Sequence, residues 1–245
     1  LLTELVDLLY PKFPRCPVCG SEFEPFEVNL CSTCIAKINF IYDDYCQQCG
    51  KLVAEDKELC LDCQQYDRLF DQARAVGTYD GGLEEYIKAF KYQGQRHLAQ
   101  SLAQLMFVYL NRFYNLQDLD LITYIPVHYH RLQQRGFNQA YLLAKELAEH
   151  TNLELATLLS RIEETTKQSK LSKYERMNNL EGQFAVINSQ KIADKTILIV
   201  DDVYTTGATV NRATKILLDN RATNVKVMTL ASGKDLNLNK EIDKL

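Results

Sequence analysis

From residue 73 onward, short apolar runs alternate with longer stretches in which apolar residues recur at helical spacing. Ala73 to Tyr79 reads as a strand closed by the Asp80-Gly81-Gly82 turn. Two helical stretches follow, one carrying Leu83, Ile87 and Phe90, the next Leu98, Leu102, Leu105, Tyr109 and Phe113. Leu121 to Val127 is a second strand, ended by Pro126-Val127. Phe137 to His150 is a helix that turns Ala140, Leu143, Ala144 and Leu147 inward. Gln183 to Ile187, Thr196 to Val200 and Val225 to Ala231 are further strands, with a helix from about Ala208 to Leu218 between the last two. This alternation predicts an α/β fold, a mostly parallel sheet flanked by helices. Ligands of such sheets sit beyond the carboxyl ends of the strands, so the residues after Val127 and Val200 are where chemistry is expected.

The pattern before residue 70 is different. Leu1-Leu2-Thr3-Glu4-Leu5-Val6-Asp7-Leu8-Leu9 is interrupted by two acids and reads as an amphipathic helix, not a signal peptide. All eight cysteines then fall in four pairs of one spacing: Cys16-Cys19, Cys31-Cys34, Cys46-Cys49 and Cys60-Cys63. The sulfurs of a C-x-x-C converge on one tetrahedral metal, and two such pairs complete a four-thiolate site, so the count fits two structural Zn²⁺ ions. Gly20 and Gly50 each follow the second cysteine of a pair, and the two halves look like repeats. Four disulfides of a secreted domain, or redox dithiols, are the competing readings. Zinc is preferred because no signal peptide is evident and no cysteine follows Cys63, which points to a cytoplasmic location. Sequential pairing is simpler than a cross-braced arrangement, and the sequence leaves both open. The chain thus divides near residue 70 into a small zinc-binding module, 1–70, and the α/β domain, 71–245.

Composition changes this picture little. The 245 residues, 46% hydrophobic and 24% charged, are those of a globular chain. A net charge of −4 argues against coating a polyanion over the whole surface, so any nucleic-acid contact is local. No apolar run approaches the roughly 20 residues that span a bilayer.

The densest chemistry follows Ile197-Leu198-Ile199-Val200. The chain continues Asp201-Asp202-Val203-Tyr204-Thr205-Thr206-Gly207-Ala208-Thr209 and enters a helix. The N–H groups and hydroxyls of Thr205 to Thr209, at a helix amino terminus, make an anion cradle, and Gly207 admits close approach to a phosphate. Two adjacent acids repel phosphate but accept hydrogen bonds from a sugar diol beside it. A sugar phosphate satisfies both. Gly-Lys-Ser/Thr and Gly-x-Gly-x-x-Gly are absent, which removes a Walker loop and a dinucleotide fingerprint.

This run resembles the phosphoribosyl-pyrophosphate signature of the type I phosphoribosyltransferases. The resemblance implies that fold, and Mg²⁺ accompanying phosphoribosyl pyrophosphate. It implies that Asp201 and Asp202 hold the ribose hydroxyls and that Thr205, Thr206, Gly207, Ala208 and Thr209 hold the 5-phosphate. A pyrophosphate loop would lie at Pro126 to Arg131, including Val127 and His128. Three further stretches, Arg131 to Gln139, Thr166 to Asn178 and the cysteine array, are similar to the ComF family of competence proteins, almost end to end. That similarity implies a part in DNA uptake during natural transformation, single-stranded DNA as a ligand and a helicase-like partner.

Basic residues complete the inventory. Lys88, Lys91, Arg96 and His97 lie in one helix-and-turn segment, Arg131 and Arg135 flank the pyrophosphate loop, and Lys167, Lys170, Lys173 and Arg176 occupy a segment without apolar period. The last set reads as a lid that excludes water and brings cations to a departing pyrophosphate. With Lys91-Tyr92, it is also a candidate surface for single-stranded DNA. His128 and His130 are candidates for orienting phosphates, and His150 is a cap or surface residue. Three functions remain in competition: DNA handling with a sugar-phosphate pocket, phosphoribosyl transfer to a base or amine, and sensing without catalysis. No acceptor-base pocket is identifiable.

Overall fold

The computed structural model describes residues 13–24, 26–162 and 184–235. The opening helix and the lid lysines, with Arg176, lie outside them.

Seven strands and seven α-helices follow one another in the described chain. The cysteine-rich part contributes α1 (Ser32–Ile35) and α2 (Leu61–Gln65). The rest runs β1 (Gln72–Thr78), α3 (Gly81–Tyr92), α4 (Leu98–Phe113), β2 (Leu121–Tyr124), α5 (Tyr129–Arg135) and α6 (Gln139–Thr151). It continues with β3 (Glu154–Leu155), β4 (Leu159–Arg161), β5 (Phe184–Val186), β6 (Thr196–Tyr204), α7 (Ala208–Asp219) and β7 (Asn224–Ser232). The main sheet has the order β1-β7-β6-β2-β3 and every pairing in it is parallel.

Both faces are covered, which is why β6 carries four consecutive apolar residues after Thr196 rather than an alternating run. Leu198 and Val200 pack with α3, α4 and α6, while Ile197 and Ile199 pack with Val210, Ala213 and Leu217 of α7. Each such fully buried side chain contributes roughly 1.5–3 kcal/mol.

Several expected boundaries move for local reasons. The second strand stops at Tyr124: Ile125 still donates to the Val200 carbonyl at 3.1 Å, but Pro126 has no N–H to offer. Asp80-Gly81-Gly82 is the entry to α3 rather than a free turn. Asn138 caps α6, its side chain accepting from the N–H groups of Ala140 and Tyr141, so that helix begins at Gln139. The strand expected near Gln183 to Ile187 is not in the parallel sheet. It is β5, paired antiparallel with β4 in a separate two-stranded ribbon.

The cysteine-rich part closes the exposed edge of the sheet. Phe40 bridges Gly77 antiparallel, Ile41 donates to Val76 at 3.0 Å, Thr78 donates to Asn39 at 2.9 Å, and Ala73 donates to Gln48 at 2.9 Å. An edge strand left open is a template for unwanted pairing, and here the chain's own amino-terminal part occupies it.

Candidate functional site

The cysteines form two groups in sequential order, Cys16, Cys19, Cys31 and Cys34, then Cys46, Cys49, Cys60 and Cys63, with the four sulfurs of each within 4.8 Å of one another. None is in a disulfide. The two halves repeat one backbone device. Gly20 donates to Cys16 and Gly50 to Cys46, both at 2.8 Å, and both glycines have positive φ, 76° and 72°. Arg15 bridges Glu22 in the first half as Tyr45 bridges Leu52 in the second. The donor set fits zinc: four thiolates around Zn²⁺ at about 2.3 Å would stand roughly 3.8 Å apart, and Cys19–Cys31 and Cys49–Cys60 are each at 3.5 Å.

The carboxyl end of β6 carries the acids. The strand runs on to Tyr204, so Asp201 and Asp202 belong to it rather than following it. They face different surroundings, although the resemblance assigns both to the ribose hydroxyls. Asp202 is 4% exposed and ion-paired at 2.6 Å with Lys91 from the last turn of α3. Asp201 accepts the N–H of Asp202 at 2.8 Å and lines a small pocket with Thr205, Gly207 and Thr209. Burial, reinforced by the neighbouring Asp202 charge, pushes its carboxyl up to about 8. Thr205, Thr206 and Ala208 are exposed. Gly207 sits at φ 77°, and any Cβ there would collide with the Tyr204 hydroxyl. The loop therefore requires glycine twice over, for backbone angle and for space. Thr206 Oγ1 accepts from Ala208 N at 3.4 Å, and the amino terminus of α7 faces the same pocket.

The carboxyl end of β2 carries the cations. The expected pyrophosphate loop, Pro126 to Arg131, is extended only to His128. That imidazole caps α5 by accepting from His130 N at 3.3 Å, and the two imidazole rings stack at 5.2 Å. Arg131 and Arg135 project from α5 across a cleft of about 530 Å³ whose opposite wall is Lys91, Tyr92, Gln93 and Gly94. Arg135 lies 5.1 Å over the Tyr92 ring and hydrogen-bonds Gln139. Of the other basic candidates, Lys88 pairs with Glu84 at 2.7 Å, Arg96 packs on Phe137 and donates to Gly136 O, and His97 contacts Pro17 O at 3.1 Å. His150 stacks on Phe107.

Lys91 is thus the joint of the site, paired with the buried acid on one side and lining the basic cleft on the other. The sequence placed it only in a general basic segment. Tyr204 was not singled out, although an aromatic residue between two acids and a Thr-Thr-Gly turn was visible. Among the described residues, no helix is long and apolar enough to cross a membrane.

The double zinc ribbon domain family matches residues 5–64, and the phosphoribosyl transferase domain family matches residues 133–244. Competence protein ComFC of Streptococcus pneumoniae is 32% identical over 203 residues, covering 82% of this chain and 86% of that protein. Competence protein ComFC of Bacillus subtilis is 30% identical over 234 residues, covering 88% and 93%. Competence protein F of Haemophilus influenzae is 28% identical over 222 residues, covering 89% and 96%.

Proposed function

This chain belongs to the ComF family of competence proteins, and from that premise we propose that its α/β domain binds phosphoribosyl pyrophosphate with Mg²⁺ in the service of handling incoming single-stranded DNA in the cytoplasm. The carrying observation is the juxtaposition, at two neighbouring strand ends, of a glycine-dependent anion loop with an acid beside it and a cleft of three cations.

The division of labour follows from the chemistry. The N–H groups and hydroxyls of Thr205 to Thr209 take the 5-phosphate, aided by the dipole of α7. Asp201 accepts from the ribose diol, and Asp202, held by Lys91, fixes the end of the strand on which Asp201 stands. Lys91, Arg131 and Arg135 take the pyrophosphate charge. Mg²⁺ would arrive on the pyrophosphate and supply further charge neutralisation there.

DNA enters through the same cleft in this reading. Tyr92 is 71% exposed and stands between Lys91 and Arg135, a ring for a base between cations for phosphates. Calorimetric titration of the full chain with phosphoribosyl pyrophosphate, with and without Mg²⁺, tests the pocket. A saturable heat lost in the Asp201→Asn variant is expected, and no heat at millimolar ligand would remove the reading. Competition between a short oligonucleotide and the sugar phosphate then tests whether the cleft is shared.

A further inference from the structure

The two cysteine groups are chemically alike but stand against different parts of the molecule. The first packs on α3 and α4: Tyr86 donates to the Cys34 carbonyl at 2.9 Å, Asn29 N donates to Gln104 and Ser101 donates to Asn29 O. The second packs on the end of β6 and the start of α7, sharing one apolar cluster with Phe70, Tyr204 and Val210.

Its connections to the anion loop are specific. Leu69, between Cys63 and Phe70, donates its N–H to Asn211 Oδ1 at 2.7 Å, and Asn211 N donates to Gly207 O at 2.8 Å. Phe70 meets the Tyr204 ring edge-on at 6.2 Å, and Lys51, which follows the Cys46-Cys49 pair and pairs with Asp62 at 2.5 Å, has its ammonium 6.0 Å from that ring. Tyr204 is 2% exposed, and its hydroxyl, buried without a hydrogen-bond partner among the described residues, fills the space where Gly207 has no side chain. The floor of the loop is therefore a tyrosine whose position is set by residues the second cysteine group holds in place.

We infer that metal held by Cys46, Cys49, Cys60 and Cys63 and anion held by the Thr205–Thr209 loop stabilise one another through Tyr204 and Asn211, whereas metal at the first group is independent of the loop. A second group without metal frees α2, loosens Leu69 and Phe70, and leaves Tyr204 without its wall. Linkage is reciprocal, so a bound anion must also slow loss of that one metal. The second group thereby makes ligand binding sensitive to metal supply and to thiol oxidants. This rests on the loop being the anion site proposed above.

The test follows metal release from the zinc-loaded full chain to a chromogenic chelator, with and without phosphoribosyl pyrophosphate and Mg²⁺. Two phases are expected, one of them slowed about fivefold or more by the ligand, the usual lower range of coupling between sites. Cys60→Ser should abolish the slowed phase and Cys31→Ser the other. Asn211→Ala, which removes one exposed hydrogen bond and leaves every thiolate, should fold and reduce the slowing. Amide exchange over residues 203–211 supplies a readout that needs no ligand: it should accelerate when the second metal is lost and stay unchanged when the first is lost. Absence of phosphoribosyl pyrophosphate heat in calorimetry with accelerated exchange would overturn the sugar-phosphate reading while upholding the second metal's hold on Tyr204 and the loop. Ligand binding that slows neither phase or both alike, or exchange indifferent to the second metal, overturns the linkage.

Discussion

The carboxyl ends of β6 and β2 are neighbours in the sheet, yet one is dry and acidic and the other open and basic. At β6, Asp202 is nearly inaccessible and its charge is met by Lys91 at 2.6 Å. At β2, the strand gives way at Pro126 and α5 presents Arg131 to solvent across an open cleft. The difference teaches that residues of one ligand site carry unequal structural duties. At the dry end the Lys91–Asp202 pair holds the fold, whereas Arg131 and Arg135 at the wet end are available to a ligand at little structural cost.

The largest effect expected from this contrast is at Lys91. Lys91→Met leaves a buried carboxylate unpaired, which typically costs about 3–5 kcal/mol. Urea unfolding should show it as a lowered midpoint, and adding Asp202→Asn should restore a substantial part. A loss below about 1 kcal/mol, typical of exposed pairs, would mean that the β6 end is as wet as the β2 end. For the same reason Asp201→Asn alone is the cleaner probe of ligand binding, because replacing Asp202 as well would strip Lys91 of its partner.

Next is Gly207. Alanine there must adopt a left-handed backbone angle and displace the Tyr204 hydroxyl, a strain of roughly 1–3 kcal/mol. Combining it with Tyr204→Phe should relieve only part of the steric strain, because ring carbon Cζ would still stand 2.5 Å from the added Cβ, and should leave the backbone part. Equal stability of Gly207→Ala and the parent would show that the loop is not fixed from below.

The sequence announced the dry end far better than the wet one. Four apolar residues followed by two acids and a threonine-glycine turn are contiguous, so the start of the strand, the turn and the α7 start could be read from spacing alone, although the strand runs past Val200 to Tyr204. The cysteine repeat was legible for the same reason. The Lys91–Asp202 pair joins residues distant in the chain, and nothing local selects that lysine over Lys88, which pairs within its own helix. Helix α5 was missed because Tyr129–Arg135 has no buried apolar face to set a period. Strand β5 was legible within Gln183 to Ile187, but its antiparallel partner β4 was not, because a three-residue strand gives too few positions to show alternation. Where the second cysteine group docks could not be read at all, since identical knuckles carry no information about the surface they meet.

Acidity offers a smaller and more specific contrast. Asp201 is pushed up to about 8 from an ordinary 3.8 by burial and by Asp202, with Lys91 and Arg161 opposing. A carboxyl raised in the folded state binds more protons folded than unfolded between those values, so its contribution to stability falls as pH rises from about 4 to about 8. Ligand binding runs the other way, because the ionised form accepts from a diol. Affinity for phosphoribosyl pyrophosphate should climb toward pH 8 by at most about tenfold per unit, with proton release visible as buffer-dependent binding heat. Asp201→Asn should flatten the profile; an unchanged profile would place the titrating group elsewhere.

The smallest stability effect belongs to the wet end. Arg131→Ala with Arg135→Ala should shift unfolding by less than about 1 kcal/mol, because Arg131 is exposed and Arg135 gives up only its contacts with Tyr92 and Gln139. Salt should separate the two ends where stability does not. Each phosphate of a single strand neutralised by a cation contributes a slope near −0.7 in log affinity against log salt, so removing both arginines should lessen the slope for an oligonucleotide by about 1.4. The buried Lys91–Asp202 pair is shielded from counterions, and the salt dependence of urea unfolding should be the same in parent and arginine variant. An arginine variant that binds the oligonucleotide with the parent's slope would move the DNA surface away from this cleft and leave it to the sugar phosphate alone.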